Sequence, residues 1–239
     1  MTLDWAAGAL VIFVASFVMG LTGFGIALVA MAFLPWLMEP ATAIIVLTVY
    51  ALVFSLVVMV QLRRDVTPRA LVDLFAGTIV GTPLGVWVLA SLPVSALNRL
   101  IGLVLVVVVA LERYRALPVL SGRGWGLGAG VLAGLVGGAV GTPGPPVIVY
   151  ATTQGWPPRT LKANIMTFFV VNQGVILLGY WWAGLLTPTA LRATAVFAAP
   201  ALAGALVGIA LFGRLDAAVF RRIVFALLLV SGLLLLGRG

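Results

Sequence analysis

The chain contains no cysteine and no histidine, and only 8% of its 239 residues are charged. Without cysteine it forms no disulfide and carries no thiol chemistry. Without histidine it lacks the general acid and base that enzymes use most often. The common transition-metal sites also depend on these two residue types. The sequence therefore predicts a protein that is not an enzyme and that holds no metal or cofactor.

Apolar residues make up most of the chain. Hydrophobic side chains account for 63% of the sequence and the mean hydropathy is +1.25, against roughly 45–50% apolar residues in soluble domains. No extended polar stretch interrupts this pattern, so the lipid bilayer is the expected environment. The net charge of +8 comes from Lys and Arg in short loops, where such residues set membrane topology. It does not indicate a nucleic-acid partner.

Eight hydrophobic runs are candidates for membrane spans, since a spanning helix needs about 20 apolar residues. A stretch rich in arginine, proline and glycine follows the fourth run. It divides the chain into a first membrane repeat at 1–112, a connecting loop at 113–123 and a second repeat at 124–239. The runs cover residues 5–34, 40–62, 69–91, 95–112, 124–152, 160–183, 188–213 and 217–237.

Two of these runs contain glycine-rich breaks, and the breaks occupy corresponding places in the two halves. The first break is Gly20–Gly25, and the second extends from Gly137 to Pro146. Irregular backbone at membrane depth is tolerated only inside protein or against a water-filled cavity. Paired breaks of this kind are typical of the substrate site of a secondary transporter.

An alignment of the two halves favours an internal duplication. Several glycines and threonines match at nearly constant offsets along the chain. For the glycines spaced by about four residues in the third and seventh runs, close helix packing is the preferred interpretation. The matched pairs are Gly20 with Gly138, Gly23 with Gly141, Thr42 with Thr160, Gly81 with Gly204 and Gly85 with Gly208.

The positions of the basic residues distinguish two topologies. If every run crosses, the Lys and Arg residues divide almost evenly between the two sides. If each broken run is a re-entrant hairpin, 11 of the 14 fall on one side, as expected of a cytoplasmic face. These are Arg63, Arg64, Arg69, Arg113, Arg115, Arg123, Arg159, Lys162, Arg214, Arg221 and Arg222.

We therefore predict an all-α polytopic membrane protein with two inverted repeats. Each repeat consists of a glycine-broken re-entrant hairpin and three spanning helices, with both termini outside. Eight full spans remain the alternative.

The second break has the composition of an anion site. A broken helix turns the N-terminus of its second half toward the cavity, where free N–H groups and the positive dipole end attract anions. Close packing of helices is the alternative explanation for the glycines. The predicted binding residues are Gly141, Thr142, Pro143 and Gly144, with Thr22, Gly23 and Gly25 as their first-half counterparts.

The sixth run adds polar candidates. Asn172 and Gln173 lie near its centre, where polar groups usually face the bundle interior. Asn164 is eight residues before Asn172 and shares its helix face, and Lys162 is expected near the helix end. These side chains either donate hydrogen bonds to an anion or form ordinary interhelical hydrogen bonds.

The Gly/Pro motif resembles the sulfite exporter TauE/SafE family of bacterial membrane transporters. The strongest local similarity covers residues 141–150 (GTPGPPVIVY), followed by Leu161-Lys162-Ala163-Asn164. The resemblance extends over essentially the whole chain. It implies export of sulfite, sulfonates or related organic anions across the bacterial inner membrane by a multi-pass protein.

The residues themselves indicate only a small anion as substrate. The leading hypothesis is a secondary transporter that moves this anion by alternating access between the two halves. An anion channel and a non-transport subunit of a membrane assembly are the alternatives. The sequence leaves homo-oligomer formation open.

Overall fold

The computed structural model describes residues 2–22, 25–113, 120, 122–211 and 217–237, and regular structure in these ranges is entirely helical. Three short 3-10 helices, Leu34–Trp36, Arg63–Asp65 and Pro68–Leu71, lie in the connections. The α-helices are α1 (Thr2–Thr22), α2 (Ile26–Met31), α3 (Pro40–Gln61), α4 (Val72–Ser91), α5 (Val94–Arg113), α6 (Arg123–Val140), α7 (Gly144–Thr152), α8 (Pro158–Trp182), α9 (Pro188–Val196), α10 (Ala198–Ala210) and α11 (Ala217–Gly237).

Five segments in the described ranges are long and apolar enough to cross a bilayer, and α9 with α10 adds a sixth if the bent pair crosses as one span. The prediction of an all-α polytopic membrane protein is confirmed. The five segments are Asp4–Thr22, Pro40–Gln61, Pro68–Ser91, Val94–Leu111 and Pro158–Trp182. Helix α7, with nine residues, is too short to span, since a crossing takes about 20 residues.

The hydrophobicity alone predicts one helix at 188–213. In the structure this run is bent. Helices α9 and α10 meet at a bend of 43° next to Phe197. Pro200 explains the position of the bend, because a proline has no N–H to donate to the carbonyl of Val196, four residues earlier. The bend therefore begins where that helical hydrogen bond is missing.

The helices pack into two compact units that each combine both halves of the sequence. The first unit contains residues 1–47, 92–113 and 186–239, and the second contains 48–91 and 114–185. In the first unit α1 packs against α10 and α5 against α11. In the second unit α4 packs against α6, and α8 contacts both.

Glycines bring the backbones of α4 and α6 into direct contact. Gly77 faces Gly130, and one turn at a time Gly81 faces Gly134 and Gly85 faces Gly138. A Cβ atom on Gly130 would collide with the carbonyl oxygen of Leu74, and one on Gly134 would lie 2.7 Å from the carbonyl oxygen of Thr78. Both separations are well inside van der Waals contact. The close-packing interpretation of these glycines is confirmed.

Helices of the first unit are also packed closely through glycine. A Cβ on Gly20 would collide with the carbonyl oxygen of Ala205, beside Gly208. The alignment of the halves equates Gly20 with Gly138 and Gly208 with Gly85. In the second unit Gly138 packs on Gly85. Equivalent glycines therefore make equivalent contacts in the two units.

The segment formed by α6 and α7 doubles back on itself. The Gln154 side-chain amide, just after α7, donates to the carbonyl oxygen of Leu120 at 2.9 Å. The Leu120 N–H donates to the Thr153 hydroxyl at 3.3 Å. Within α6 itself, a Cβ on Gly126 would lie 3.2 Å from the Tyr150 hydroxyl. The end of α7 therefore lies beside the start of α6, so the two helices form a hairpin.

The first broken segment returns in the same way. The chain that follows α2 brings Met38 back to the start of α1, where its methyl group lies 3.5 Å from the Cβ position of Gly8. The Phe197 ring packs at the same place, with its centroid 5.3 Å from that of Trp5. Both glycine-broken runs are thus hairpins within their own units.

We predict that Gly130→Ala lowers the free energy of unfolding by about 1–3 kcal/mol, the usual cost of overpacking. The added methyl group must push α6 away from the Leu74 backbone. Gly128→Ala is the matched control, because Gly128 is exposed and nothing lies within 4 Å of its Cβ position. Thermal unfolding of the purified protein in detergent measures both variants. Equal losses in the two variants would contradict the packing argument.

Candidate functional site

The break between α6 and α7 is completely buried. Every residue from Gly137 to Pro143 is inaccessible to solvent or nearly so. Helix α6 ends at Val140, and Gly141 turns the chain with a φ of 74°, while its N–H donates to the Gly137 carbonyl at 2.9 Å. This left-handed conformation favours glycine, since a Cβ atom would be strained there. The break is therefore an ordered part of the protein interior with a defined backbone conformation.

Three prolines determine which hydrogen-bonding groups the break offers. Pro143 precedes α7 as its N-cap, and Pro145 and Pro146 follow in its first turn. Helix N-termini normally present four free N–H groups, but among residues 143–146 only Gly144 has one. The positive dipole end of α7 remains. An anion at this point would be held by the dipole and by few backbone donors.

Helix α8 covers the break with one of its faces. A Cβ on Gly137 would lie 2.8 Å from the Ile176 side chain and 3.4 Å from Asn172 Oδ1, and Pro143 borders the same position at 3.0 Å. Phe169 lies near Gly144. Residues 169, 172 and 176 follow helical spacing, so they project from one face of α8. This face brings the predicted Asn172 to the predicted break.

Several predicted side chains carry buried oxygens without a partner. Thr142 Oγ1, Asn172 Oδ1 and Gln173 Oε1 accept or donate no hydrogen bond within the described residues. Thr82 Oγ1 on α4 shares this property. Leaving a buried polar group unpaired costs about 1–3 kcal/mol, and each residue is at most 3% exposed. The grouping of these unpaired oxygens near a helix break makes the break a candidate ligand site.

Two further residues shape the break. The Asn172 amide Nδ2 donates to the Thr78 hydroxyl of α4, and the Tyr180 hydroxyl donates to the Gly138 carbonyl at 2.8 Å. Neither Thr78 nor Tyr180 is among the residues predicted as the site. Thr78 could be noticed as one of two threonines spaced by four on α4, whereas a tyrosine near the end of an apolar run gives no such signal.

The structure brings Asn164 to a different neighbour. Its Oδ1 accepts from the Thr67 backbone N–H at 2.8 Å, and its Nδ2 donates to the Thr67 hydroxyl at 2.6 Å. Arg159 forms an exposed ion pair with Asp65 at 3.6 Å nearby. Lys162 is exposed. The start of α8 therefore holds the connection between α3 and α4, and Asn164 uses its amide for this.

The first break lies in the other compact unit, and its described residues include fewer buried polar groups that could bind a ligand. Thr22, the last residue of α1, is exposed, and its hydroxyl donates to the Val18 carbonyl at 2.9 Å. Gly25 has a φ of 94° and precedes α2, which has only six residues. The predicted Gly23 lies outside the described residues.

Charged side chains stay away from the buried break. Every Lys and Arg side chain that the structure describes is exposed. The described part of the chain also contains no cluster of His, Cys, Asp or Glu able to hold a metal ion. The polar groups of the break itself are neutral hydroxyls, amides and backbone groups.

Comparison with known proteins identifies one family. The family model described as Sulfite exporter TauE/SafE matches residues 8–235 of the chain. No curated protein and no solved structure matches it.

We predict that Asn164→Leu and Thr67→Val destabilise the protein non-additively. The coupling energy should be about 0.6 kcal/mol, and at most about 1.7 kcal/mol, as for hydrogen bonds between other membrane helices. Unfolding of the two single variants and the double variant measures it. Arg159→Gln is the control and should change stability little, because exposed ion pairs contribute about 0–1 kcal/mol. Strictly additive losses would contradict the pairing.

Proposed function

The chain belongs to the sulfite exporter TauE/SafE family, whose members are membrane transporters of sulfite and related anions, and on that basis we propose a secondary carrier of small anions. The substrate is sulfite, a sulfonate or a related organic anion. The direction is outward, across the bacterial inner membrane. Alternating access moves the anion, as in other transporters with broken helices.

The unpaired Thr142 hydroxyl is the observation that carries this proposal. It is 3% exposed and without a hydrogen-bond partner in the described residues, and it stands immediately before the N-terminal end of α7. A hydroxyl in this position donates a hydrogen bond to an anion oxygen while the helix dipole stabilises the negative charge. The Gly144 N–H is the nearest backbone group that can donate a second hydrogen bond to the anion.

Side chains from α8 complete the binding site in this proposal. Gln173 has a buried amide with an unpaired Oε1, and its Nε2 provides a donor of the kind that oxyanions accept. The exposed Lys162 and Arg159 near the start of α8 raise the local anion concentration without entering the site. Affinity then comes from neutral donors, and the charges assist the approach.

The inverted-repeat topology is part of the same proposal. The doubling back of both broken hairpins supports it, since each returns to its own starting point. The predicted concentration of basic residues on one side supports it as well. Under this topology the two breaks enter the membrane from opposite sides.

We predict that Thr142→Val reduces saturable sulfite flux in proteoliposomes by at least about tenfold, since one hydrogen bond to a charged group contributes about 1.5–3 kcal/mol. Valine keeps the shape of threonine and removes the hydroxyl. Thr152→Val in the same helix is the matched control, because Thr152 is exposed and its hydroxyl bonds back to the α7 carbonyls. Unchanged saturable flux in Thr142→Val would refute the site. Flux that never saturates would favour a channel.

Single cysteines test the topology, because the natural chain has none. Gly124→Cys and Thr152→Cys flank the α6–α7 hairpin, and both positions are exposed. We expect a membrane-impermeant maleimide to label both from the cytoplasmic side, and Ala183→Cys, beyond α8, from the opposite side. Labelling of positions 124 and 152 from different sides would establish a full span instead.

A further inference from the structure

The second break contains more hydrogen-bond acceptors than donors, and the prolines are the reason. In a continuous helix the carbonyls of Ala139, Gly141 and Thr142 would accept from the N–H groups of residues 143, 145 and 146. All three of those residues are prolines, which have no N–H. No hydrogen bond to these three carbonyls occurs within the described residues. The break therefore exposes backbone oxygens to its own interior.

Side-chain oxygens increase this excess. Asn172 is fully buried, and its Oδ1 has no partner. This oxygen would lie 3.4 Å from a Cβ atom on Gly137, which Pro143 also borders. The amide Nδ2 of Asn172 donates to the Thr78 hydroxyl. Thr142 Oγ1 is a second unpaired oxygen in the break itself. These oxygens lie at the C-terminal end of α6, where the helix dipole is negative.

We propose that the α6 end of this break binds a monovalent alkali-metal cation. Its ligands are drawn from the unpaired carbonyls of residues 139, 141 and 142 and from Asn172 Oδ1. Hard cations prefer oxygen ligands, and unwound carbonyls at half-helix C-termini coordinate Na⁺ in other transporters. Neutral oxygens alone suit a single positive charge, whereas Ca²⁺ sites rely on carboxylates. Amide and carbonyl oxygens are too weakly basic to hold a proton at neutral pH, so the site is not a proton site.

The cation goes beyond the proposed anion transport and also completes it. The described Lys and Arg side chains are all exposed, and burying an anion in the break has a desolvation cost that a nearby positive charge reduces further than neutral donors alone. A cation at the α6 end provides that countercharge, while the anion occupies the α7 end. Only the countercharge role depends on the proposed function. The evidence for the cation site itself is the set of unpaired oxygens.

Thermal unfolding of the purified full chain tests the site without any transported anion. We expect Tm to rise by about 5 °C in saturating NaCl or KCl relative to choline chloride of equal ionic strength. Asn172→Leu should abolish the shift, and Asn172→Asp, which keeps an oxygen, should retain it. An equal Tm for the wild-type chain in all three salts would overturn the proposal.

Two further variants separate a lost ligand from a weakened fold. Asn98→Leu is the matched control: Asn98 is buried on α5 and also carries an unpaired Oδ1, but it lies in the other compact unit. It should keep the full salt-dependent shift, whatever its own effect on the baseline Tm. Pro143→Ala supplies a backbone N–H next to these carbonyls that can compete for them, so it should reduce the shift. A full shift in both Asn172→Leu and Pro143→Ala would also overturn the proposal.

Discussion

Direct contact between the backbones of α4 and α6 is the constraint on which the second unit depends. Facing glycines let the helices approach until carbonyl oxygens meet Cα atoms, and no side chain keeps them apart. At this separation Thr78 reaches Asn172. The same close approach holds α6 in the position where its Gly138 carbonyl accepts the Tyr180 hydroxyl. The polar network around the break therefore takes its geometry from a contact that contains almost no side-chain atoms.

The break combines two opposite electrostatic ends within a few residues. Helix α6 ends with carbonyl oxygens and a negative dipole, and α7 begins with a positive dipole and a threonine hydroxyl. The break has more acceptors than donors, because the prolines remove N–H groups and leave carbonyls unpaired. A site of this kind needs no buried ionised side chain. Its charge comes from backbone groups whose orientation the fold determines.

Much of the fold could be predicted because membrane helices require long apolar runs and because breaks need glycine or proline. The bend at Phe197 was not predicted, although Pro200 was visible. Pro83 shows why proline alone is insufficient: it lies inside the continuous α4, which glycine contacts hold against α6. Thr142 could be proposed from its place in the glycine–proline break, and Asn172 from its depth in the sixth run. The pairing of Asn172 with Thr78 could not be predicted, since local spacing does not determine the relative register of separate helices.

The pairing of α1 with α10 limits the order in which helix contacts can form during synthesis. Helix α1 leaves the ribosome long before α10, and its glycine face meets α10 only after residues 198–210 have been made. In the other unit α4 ends at Ser91 and α6 ends at Val140, so these two helices can meet after a much shorter stretch of synthesis. Long-range contacts of the first kind slow folding, because a large loop must close before they form. Helix α1 therefore waits in the membrane, without its partner, while the residues between it and α10 are synthesised.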